Sequence, residues 1–110
     1  MEFYSYYCAM VIIAKAALTR FAEKHPDALV ALMEWYDSVL VADWGNVVDV
    51  RTRFNSVDYV GNERFVFNIR GNRYRLIVSI LFGIRTIYIK FVGTHAEYDK
   101  IDAKTIDYKP

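Results

Sequence analysis

The sequence predicts an α+β fold, in which helices from the first half of the chain pack on a mainly antiparallel sheet from the second half. Apolar residues recur at helical spacing in the first half, whereas after residue 63 they alternate with a period of two. Gly71 and Gly83 divide the alternating half into three strands. With 110 residues and 55% hydrophobic side chains, residues 1–110 are expected to form one domain with its own core.

The first half is predicted to begin with a strand and two helices. Residues 10–14 form a short apolar run typical of a strand, and residues 15–24 have the apolar spacing of a helix. The residue before a proline avoids helical angles and proline suits the first turn, so Pro26 indicates the start of a second helix. The predicted core faces carry Leu18, Phe21 and Ala22 in the first helix, and Leu29, Leu32, Met33, Tyr36, Val39 and Leu40 in the second.

A third, short helix is compatible with residues 44–56, where Asn46 provides a cap, although two adjacent β-branched valines oppose it. The three strands after it are predicted as an antiparallel meander over residues 64–70, 73–82 and 85–93. Gly71-Asn72 suits a two-residue hairpin turn, because such a turn needs positive φ and glycine tolerates it.

This turn fixes which side chains share a face of the sheet, because side chains alternate along a strand. The core face is predicted to carry Phe65, Phe67, Ile69, Tyr74, Leu76 and Val78. The opposite face, called the outer face below, is predicted to pair Arg70 with Arg73, Asn68 with Arg75, and Val66 with Ile77. A second turn at residues 83–84 would pair Leu76 with Phe91 and Val78 with Ile89, and would add Lys90 to the outer face.

Positive charge is concentrated in the strand half of the chain. Residues 1–62 contain 5 Lys/Arg and 8 Asp/Glu, whereas residues 63–100 contain 7 Lys/Arg and 3 Asp/Glu. Opposing acids therefore look scarce, and the arginines of the outer face are expected to bind an anion such as a phosphate. Solvated arginines are the structural alternative.

The lone cysteine, Cys8, argues against a disulfide framework and a zinc site, and no metal or cofactor site is predicted. The apolar run near the start is too short to span a bilayer and lacks the features of a signal peptide. A soluble, cytoplasmic protein is therefore expected.

The segment Thr94-His95-Ala96-Glu97 matches a helix capping box. His95 would then lie in the first turn of a short C-terminal helix, with Tyr98 about one turn later, and the register brings Thr94 and His95 near Arg73 and Arg75. A box of this kind also occurs in helices with no functional role, and Tyr98 suits a core edge equally well. The stretch thus allows a structural role and a phosphate-handling role.

Four segments, EKHPDA, ADW, VGNERFVFNIRGNRYRL and IYIKFVGTHAEYDKIDAKTI, resemble the HigB toxins of type II toxin–antitoxin systems, within the RelE superfamily of ribosome-dependent mRNA interferases. The resemblance spans most of the chain but not residues 1–9, which are interpreted as an extension. It implies a RelE-like fold that binds mRNA on its basic face and cleaves it without metal or cofactor. It also implies the ribosome and a helix-turn-helix, HigA-like antitoxin as partners.

The resemblance also suggests roles for individual residues. Arg75 in the RYRL strand matches an arginine that positions the reacting phosphate, and Arg70 has a basic counterpart. Two lysines of better-studied superfamily members correspond to Val66 and Asn68, and a later arginine corresponds to His95. The chemistry therefore cannot be transferred unchanged.

We assign Arg73 and Arg75 to phosphate binding, because arginine stays protonated at neutral pH. Arg70, Lys90 and Asn68 would support RNA binding. His95 is the expected general acid or base, since the unperturbed pKa of histidine is about 6.5. Tyr98 would stack on a base or share the proton transfer.

Two other classes of function remain open at this point. A non-enzymatic toxin that binds RNA or poisons a DNA topoisomerase would need the basic face but not His95. A structural interaction module would need only amphipathic helices and an exposed sheet edge, and it would leave the clustered arginines unexplained.

Overall fold

The computed structural model describes residues 10–109 and contains a five-stranded sheet with strand order β1-β5-β4-β3-β2. All neighbouring strands are antiparallel except β1 and β5, which confirms the predicted α+β class with a mainly antiparallel sheet. Residues 1–9, interpreted as an extension, lie outside the described residues. The elements are β1 (Val11–Ile13), α1 (Lys15–Lys24), α2 (Leu29–Leu40), α3 (Val47–Arg53), β2 (Asp58–Gly61), β3 (Arg64–Ile69), β4 (Tyr74–Leu81), β5 (Thr86–Thr94) and α4 (His95–Tyr98).

The first two helices begin where the sequence predicts, with one difference in the buried face of α2. A 3-10 turn at Pro26–Ala28 leads into α2, as expected for proline at the start of a helix. Leu29 and Leu40 are exposed, so their predicted core positions are wrong. The indole of Trp35 is buried instead and packs edge-on against Phe67, 5.4 Å between ring centroids. In a helix that is apolar on most sides, this large ring selects the stripe that faces the sheet.

The third helix is confirmed, and Asn46 caps it by accepting a hydrogen bond from the Asp49 amide at 3.0 Å. The predicted strand count is too low, because β2 pairs with β3 as a further antiparallel strand. This strand has only four residues and joins β3 through Asn62 and Glu63, both with positive φ. Its length is too short for an alternating pattern to be visible in the sequence.

The register of the β3–β4 hairpin is confirmed at both predicted pairs that lie within the strands. Asn68 is opposite Arg75, and Val66 is opposite Ile77. The last ladder pair is Ile69 and Tyr74, so Arg70 and Arg73 belong to the connecting loop, where the Arg73 amide donates to the Arg70 carbonyl at 3.3 Å across Gly71-Asn72. Arg70 and Gly71 both have positive φ, at 54° and 67°.

The β4–β5 register departs from the prediction by one residue after a bulge. Val78 is opposite Ile89 as predicted, but Leu76 is opposite Val92, so the predicted pairing of Leu76 with Phe91 is wrong. Lys90 is the extra residue in the bulge. The predicted two-residue turn between these strands is replaced by a 3-10 segment at Phe82–Ile84.

The outer face of the sheet is partly covered by the segment that follows α4. Arg64 is buried there and donates from Nη1 to the carbonyls of Ala103 at 3.3 Å and Ile106 at 2.5 Å. Val66 and Ile77 are consequently buried on this face as well. Polar side chains remain accessible at its hairpin end. None of the helices within residues 10–109 has the length and apolarity needed to cross a membrane.

Candidate functional site

Arg75 and His95 are in direct contact, although they are 20 residues apart in the chain. Arg75 lies on β4 opposite Gly93 of β5, and His95 is the first residue of α4. Nη2 of Arg75 is 2.8 Å from Nε2 of His95. The guanidinium carbon of Arg75 lies 5.0 Å from the centroid of the Tyr98 ring, within cation–π range. The predicted proximity of His95 to Arg75 is therefore observed, whereas the predicted proximity to Arg73 is not, because Arg73 contacts Asp27.

The contact between Arg75 and His95 determines the tautomer of the imidazole. An arginine side chain has only donors, so Nε2 of His95 must accept and its proton resides on Nδ1. Nδ1 faces Oδ2 of Asp99 at 3.7 Å, which is too long for a hydrogen bond but favours a proton on that nitrogen. In this arrangement the lone pair of Nε2 points at the Arg75 guanidinium.

Arg75 retains capacity to bind a ligand. Its Nη2 also donates to Oδ1 of Asn72 in the hairpin loop at 3.0 Å. Its Nε is buried and has no hydrogen-bond partner among the described residues. A buried donor left unpaired is costly, and a phosphate oxygen bound by the guanidinium would relieve that cost.

The turn that presents His95 is fixed by the predicted capping box. The hydroxyl of Thr94 accepts from the Glu97 amide at 3.2 Å, and the Glu97 carboxylate accepts from the Thr94 amide at 2.8 Å. A Cβ on the preceding residue, Gly93, would collide with the ring of Phe91. The absence of a side chain there lets the Phe91 ring cross β5 beside the strand position of Arg75.

Arg70 and Arg73 are bound by an acid that the sequence reasoning overlooked. Oδ2 of Asp27 lies 2.9 Å from Nη1 of Arg70 and 3.2 Å from Nε of Arg73. Asp27 Oδ1 accepts a 2.5 Å hydrogen bond from the Tyr74 hydroxyl. The expectation that the arginines lack an opposing acid is therefore wrong. Both arginines are close to Arg75 in the sequence, but their side chains contact Asp27 and not the Arg75–His95 pair.

The Asp27–Tyr74 hydrogen bond shifts the pKa values of both side chains. It lowers the pKa of the Asp27 carboxyl below its ordinary value, and the two arginines act in the same direction. It raises the pKa of the Tyr74 phenol, because donation to a carboxylate favours the protonated phenol. Asp27 thus holds the start of α2 against the hairpin loop as a charged group.

Lys90 and Asn68 have different surroundings. Nζ of Lys90 is 3.0 Å from Oδ1 of Asp107 in the C-terminal segment, and this contact lowers the pKa of the Asp107 carboxyl. Asn68 is exposed and lies directly across from Arg75, as predicted. Asn68 also lines a cavity of about 350 Å³, together with Arg53 and Arg70.

Comparison with known proteins shows which family the chain resembles. The profile of the HigB toxins, described as the RelE-like toxic component of a toxin–antitoxin system, matches residues 28–101. The chain belongs to this HigB toxin family. It is 33% identical over 94 residues to the mRNA interferase HigB of Escherichia coli O6:H1 (strain CFT073), covering 84% of this chain and 91% of that protein. It is 30% identical over 93 residues to the mRNA interferase toxin HigB of Escherichia coli K12 and to the mRNA interferase HigB of Shigella flexneri, covering 82% of this chain and 88% of each.

The region that matches the HigB family contains the whole Arg75–His95–Tyr98 cluster. Within residues 10–109, no group of three or more His, Cys, Asp and Glu side chains is arranged to hold a metal ion.

The sequence did not predict the contacts of three residues. Asn72 and Asp99 lie beside the cluster, and Asp27 binds the loop arginines. Asp99 was detectable, since its position four residues after His95 places it one helical turn away. Asn72 is predicted in the turn, but its contact with Arg75 depends on the conformation of the loop. Asp27 lies in the HPDA segment, 43 residues before Arg70, and no local pattern links the two.

Proposed function

We propose that this HigB-family chain is the toxin of a type II toxin–antitoxin system and an endoribonuclease that cleaves mRNA. We further propose that it acts on the ribosome, needs no metal ion or cofactor, and thereby inhibits translation in the cytoplasm. Family membership and the names of its relatives support the nuclease activity. The observation that carries the proposal is the 2.8 Å contact of Arg75 with His95, which joins a fixed cation to a group able to transfer protons.

The proposed reaction is an internal transfer at one phosphodiester. The ribose 2′-oxygen loses its proton and forms a bond to the adjacent phosphorus, and the bond from phosphorus to the 5′-oxygen breaks. The leaving oxygen receives a proton, which gives a 2′,3′-cyclic phosphate and a 5′-hydroxyl end. The protein must therefore accept one proton, donate another and stabilise the negative charge on phosphorus.

Arg75 is proposed to bind the non-bridging oxygens of that phosphate. When its guanidinium turns to the phosphate, Nε2 of His95 loses its donor and becomes available for proton transfer. Tyr98 would stack on a base or donate from its hydroxyl, and Asn68 would bind the RNA across the strand pair.

The remaining cations have supporting parts in the proposal. Arg73 is the more exposed of the two loop arginines. It would release Asp27 and bind a phosphate in its place. Arg70 would maintain the shape of the loop and Lys90 the positive potential of the outer face. Each is already paired with a carboxylate, so each would contribute less than Arg75.

The partners proposed for this site are mRNA, the ribosome and a helix-turn-helix antitoxin of the HigA type. A site with a single arginine at the proton-transferring group benefits from a ribosome that presents the mRNA in a reactive conformation. A free RNA-cleaving enzyme would harm its own cell, and an antitoxin is the means of neutralising it.

Expression in a bacterium tests the proposal directly. Induction of the chain alone is expected to stop growth and protein synthesis, with cleaved mRNA detected by mapping of RNA 5′ ends. Co-expression of the antitoxin encoded beside it should restore growth. Purified protein should cleave mRNA on programmed ribosomes, and a chelator selective for transition metals, which leaves the Mg²⁺ of the ribosome in place, should not slow it. Arrested growth with intact mRNA would contradict the nuclease proposal and favour a toxin that acts by binding.

A further inference from the structure

A cavity of about 480 Å³ lies beside the Arg75–His95–Tyr98 cluster. It is a cleft between α1, the second half of β5 and the segment after α4. Its size falls within the range of about 300–1,000 Å³ that is typical of small-molecule sites. None of the roles assigned above to Arg75, His95 or Tyr98 uses this space.

The rim of the cleft is strongly cationic. Five positively charged side chains line it, against two carboxylates, those of Glu97 and Asp107. Glu97 is engaged in the capping box and Asp107 in the pair with Lys90. The five cations are Arg20, Lys24, Lys90, Lys100 and Lys109.

Three of these cations have no acidic partner. Lys24, Lys100 and Lys109 form no ion pair with any residue in the range 10–109, and all three are exposed. They come from two separate elements, the end of α1 and the C-terminal segment. Positive charges gathered by the fold without compensation attract an anion.

Aromatic rings form the interior of the same cleft. Phe21 is half-buried and stacks on His25 with 4.4 Å between ring centroids, and Phe91 and Tyr108 complete the aromatic lining. The hydroxyl of Tyr108 accepts from Arg20 at 2.9 Å, which ties the C-terminal segment to α1. Aromatic rings can stack on the bases of a single-stranded nucleic acid while the cations of the rim bind its phosphates.

The cleft is adjacent to the candidate active site, because both include residues of α4. Glu97 lines the cleft, while His95 and Tyr98 on the same helical turn contact Arg75. One turn of helix is about 5.4 Å long, so the two sites are within the reach of neighbouring nucleotides on one strand. Phe91 also lines the cleft and lies against Gly93, the strand partner of Arg75.

We infer that this cleft binds a nucleotide of the RNA substrate next to the cleaved phosphate, with Lys24 and Lys100 on its phosphates and the aromatic rings on its base. The inference rests on the proposed function, because RNA must occupy the Arg75 site for its neighbour to reach the cleft. An acidic protein segment would satisfy the lysines but would make no specific use of the aromatic lining.

The test measures RNA binding without cleavage, using the full chain and a single-stranded octanucleotide with 2′-O-methyl riboses. Lys24→Glu with Lys100→Glu should weaken binding and reduce the slope of log affinity against log salt by about 1.4, since each phosphate contact on a single strand contributes about 0.7. The matched control is Arg51→Glu with Lys104→Glu, which changes the net charge equally at exposed positions outside the cleft. The control should retain affinity within about twofold, because neither side chain lines the cleft and exposed charges that make no direct contact are largely screened at physiological salt.

Equal loss in both double variants, or no loss in either, would overturn the inference, as would a wild-type protein that does not bind the octanucleotide. Retained RNA affinity with weakened antitoxin binding would assign the cleft to a protein partner instead. Full displacement of the octanucleotide by adenosine monophosphate would make it a site for free nucleotides. Cleft-dependent RNA binding without mRNA cleavage would refute the proposed nuclease and still support the cleft. Thermal unfolding of each variant confirms that it is folded.

Discussion

His95 is the residue at which a structural role and a catalytic role differ most clearly. Its position is explained by the capping box alone, and such a box requires nothing of the second residue. Its contact with Arg75 is what the box does not explain. A histidine selected only for helix formation would have no reason to direct its lone pair at the Arg75 guanidinium.

His95→Gln separates these roles, because glutamine has a similar length and can accept from Arg75 but cannot titrate near neutrality. We expect folding and ribosome binding to be retained, while cleavage on programmed ribosomes falls by about 10²–10⁴-fold, the usual contribution of a positioned acid or base. Tyr98→Phe is the companion variant, since it keeps the ring and removes only the hydroxyl. Cleavage at the wild-type rate by His95→Gln would remove His95 from the mechanism.

At the scale of elements, the contact between the start of α2 and the β3–β4 loop depends on a single carboxylate. Asp27 joins Arg70, Arg73 and Tyr74, and all four side chains come from the 3-10 turn and the hairpin end. The loop also supplies Asn72 to Arg75. The conformation of the loop therefore connects Asp27 with the candidate active site.

Asp27→Asn is expected to destabilise the protein at pH 7, because a neutral amide loses both ion pairs. The pKa of Asp27 is lowered on folding, so its charge stabilises the fold above the ordinary value of 3.8 and this contribution disappears as pH falls through the folded pKa. The difference in denaturation midpoint between wild type and variant should therefore narrow below about pH 4. Chemical denaturation at pH 7 and pH 3 provides the comparison, with Asp58→Asn as an exposed control. A constant difference at both pH values would contradict this role.

The sequence predicts elements well where local rules determine them. Gly71-Asn72 and the alternation around it are enough to place Asn68 opposite Arg75, and the Thr94–Glu97 box predicts α4. The bulge at Lys90 was not predictable, because the period-two pattern continues through β5 although Lys90 has no partner residue on β4. The contacts of Asp27 were missed for a related reason, since they depend on how α2 and the hairpin loop pack in three dimensions.

In the whole molecule, positive and negative charge are separated along the chain, and the fold cancels this separation only in part. Residues 63–100 carry an excess of Lys and Arg, and the sheet they form is covered on its outer face by the C-terminal segment except near the hairpin end. Acids from elsewhere in the chain neutralise Arg70, Arg73 and Lys90. Arg75 is the cation of this group that contacts a histidine and an asparagine in place of a carboxylate.

At the hairpin end of the outer face, the contribution to the salt dependence of RNA association should therefore come mainly from Arg75. Arg75→Ala is expected to reduce the slope of log affinity against log salt by about 0.7, because one phosphate contact to a single strand is lost and fewer counterions are released. Arg51→Ala removes the same charge from an exposed position on α3 and should leave the slope unchanged. The measurement is binding of the 2′-O-methyl octanucleotide at several salt concentrations. Equal effects of the two substitutions would mean that RNA responds to the total charge of the protein, and Arg75 would then have no special role in binding phosphate.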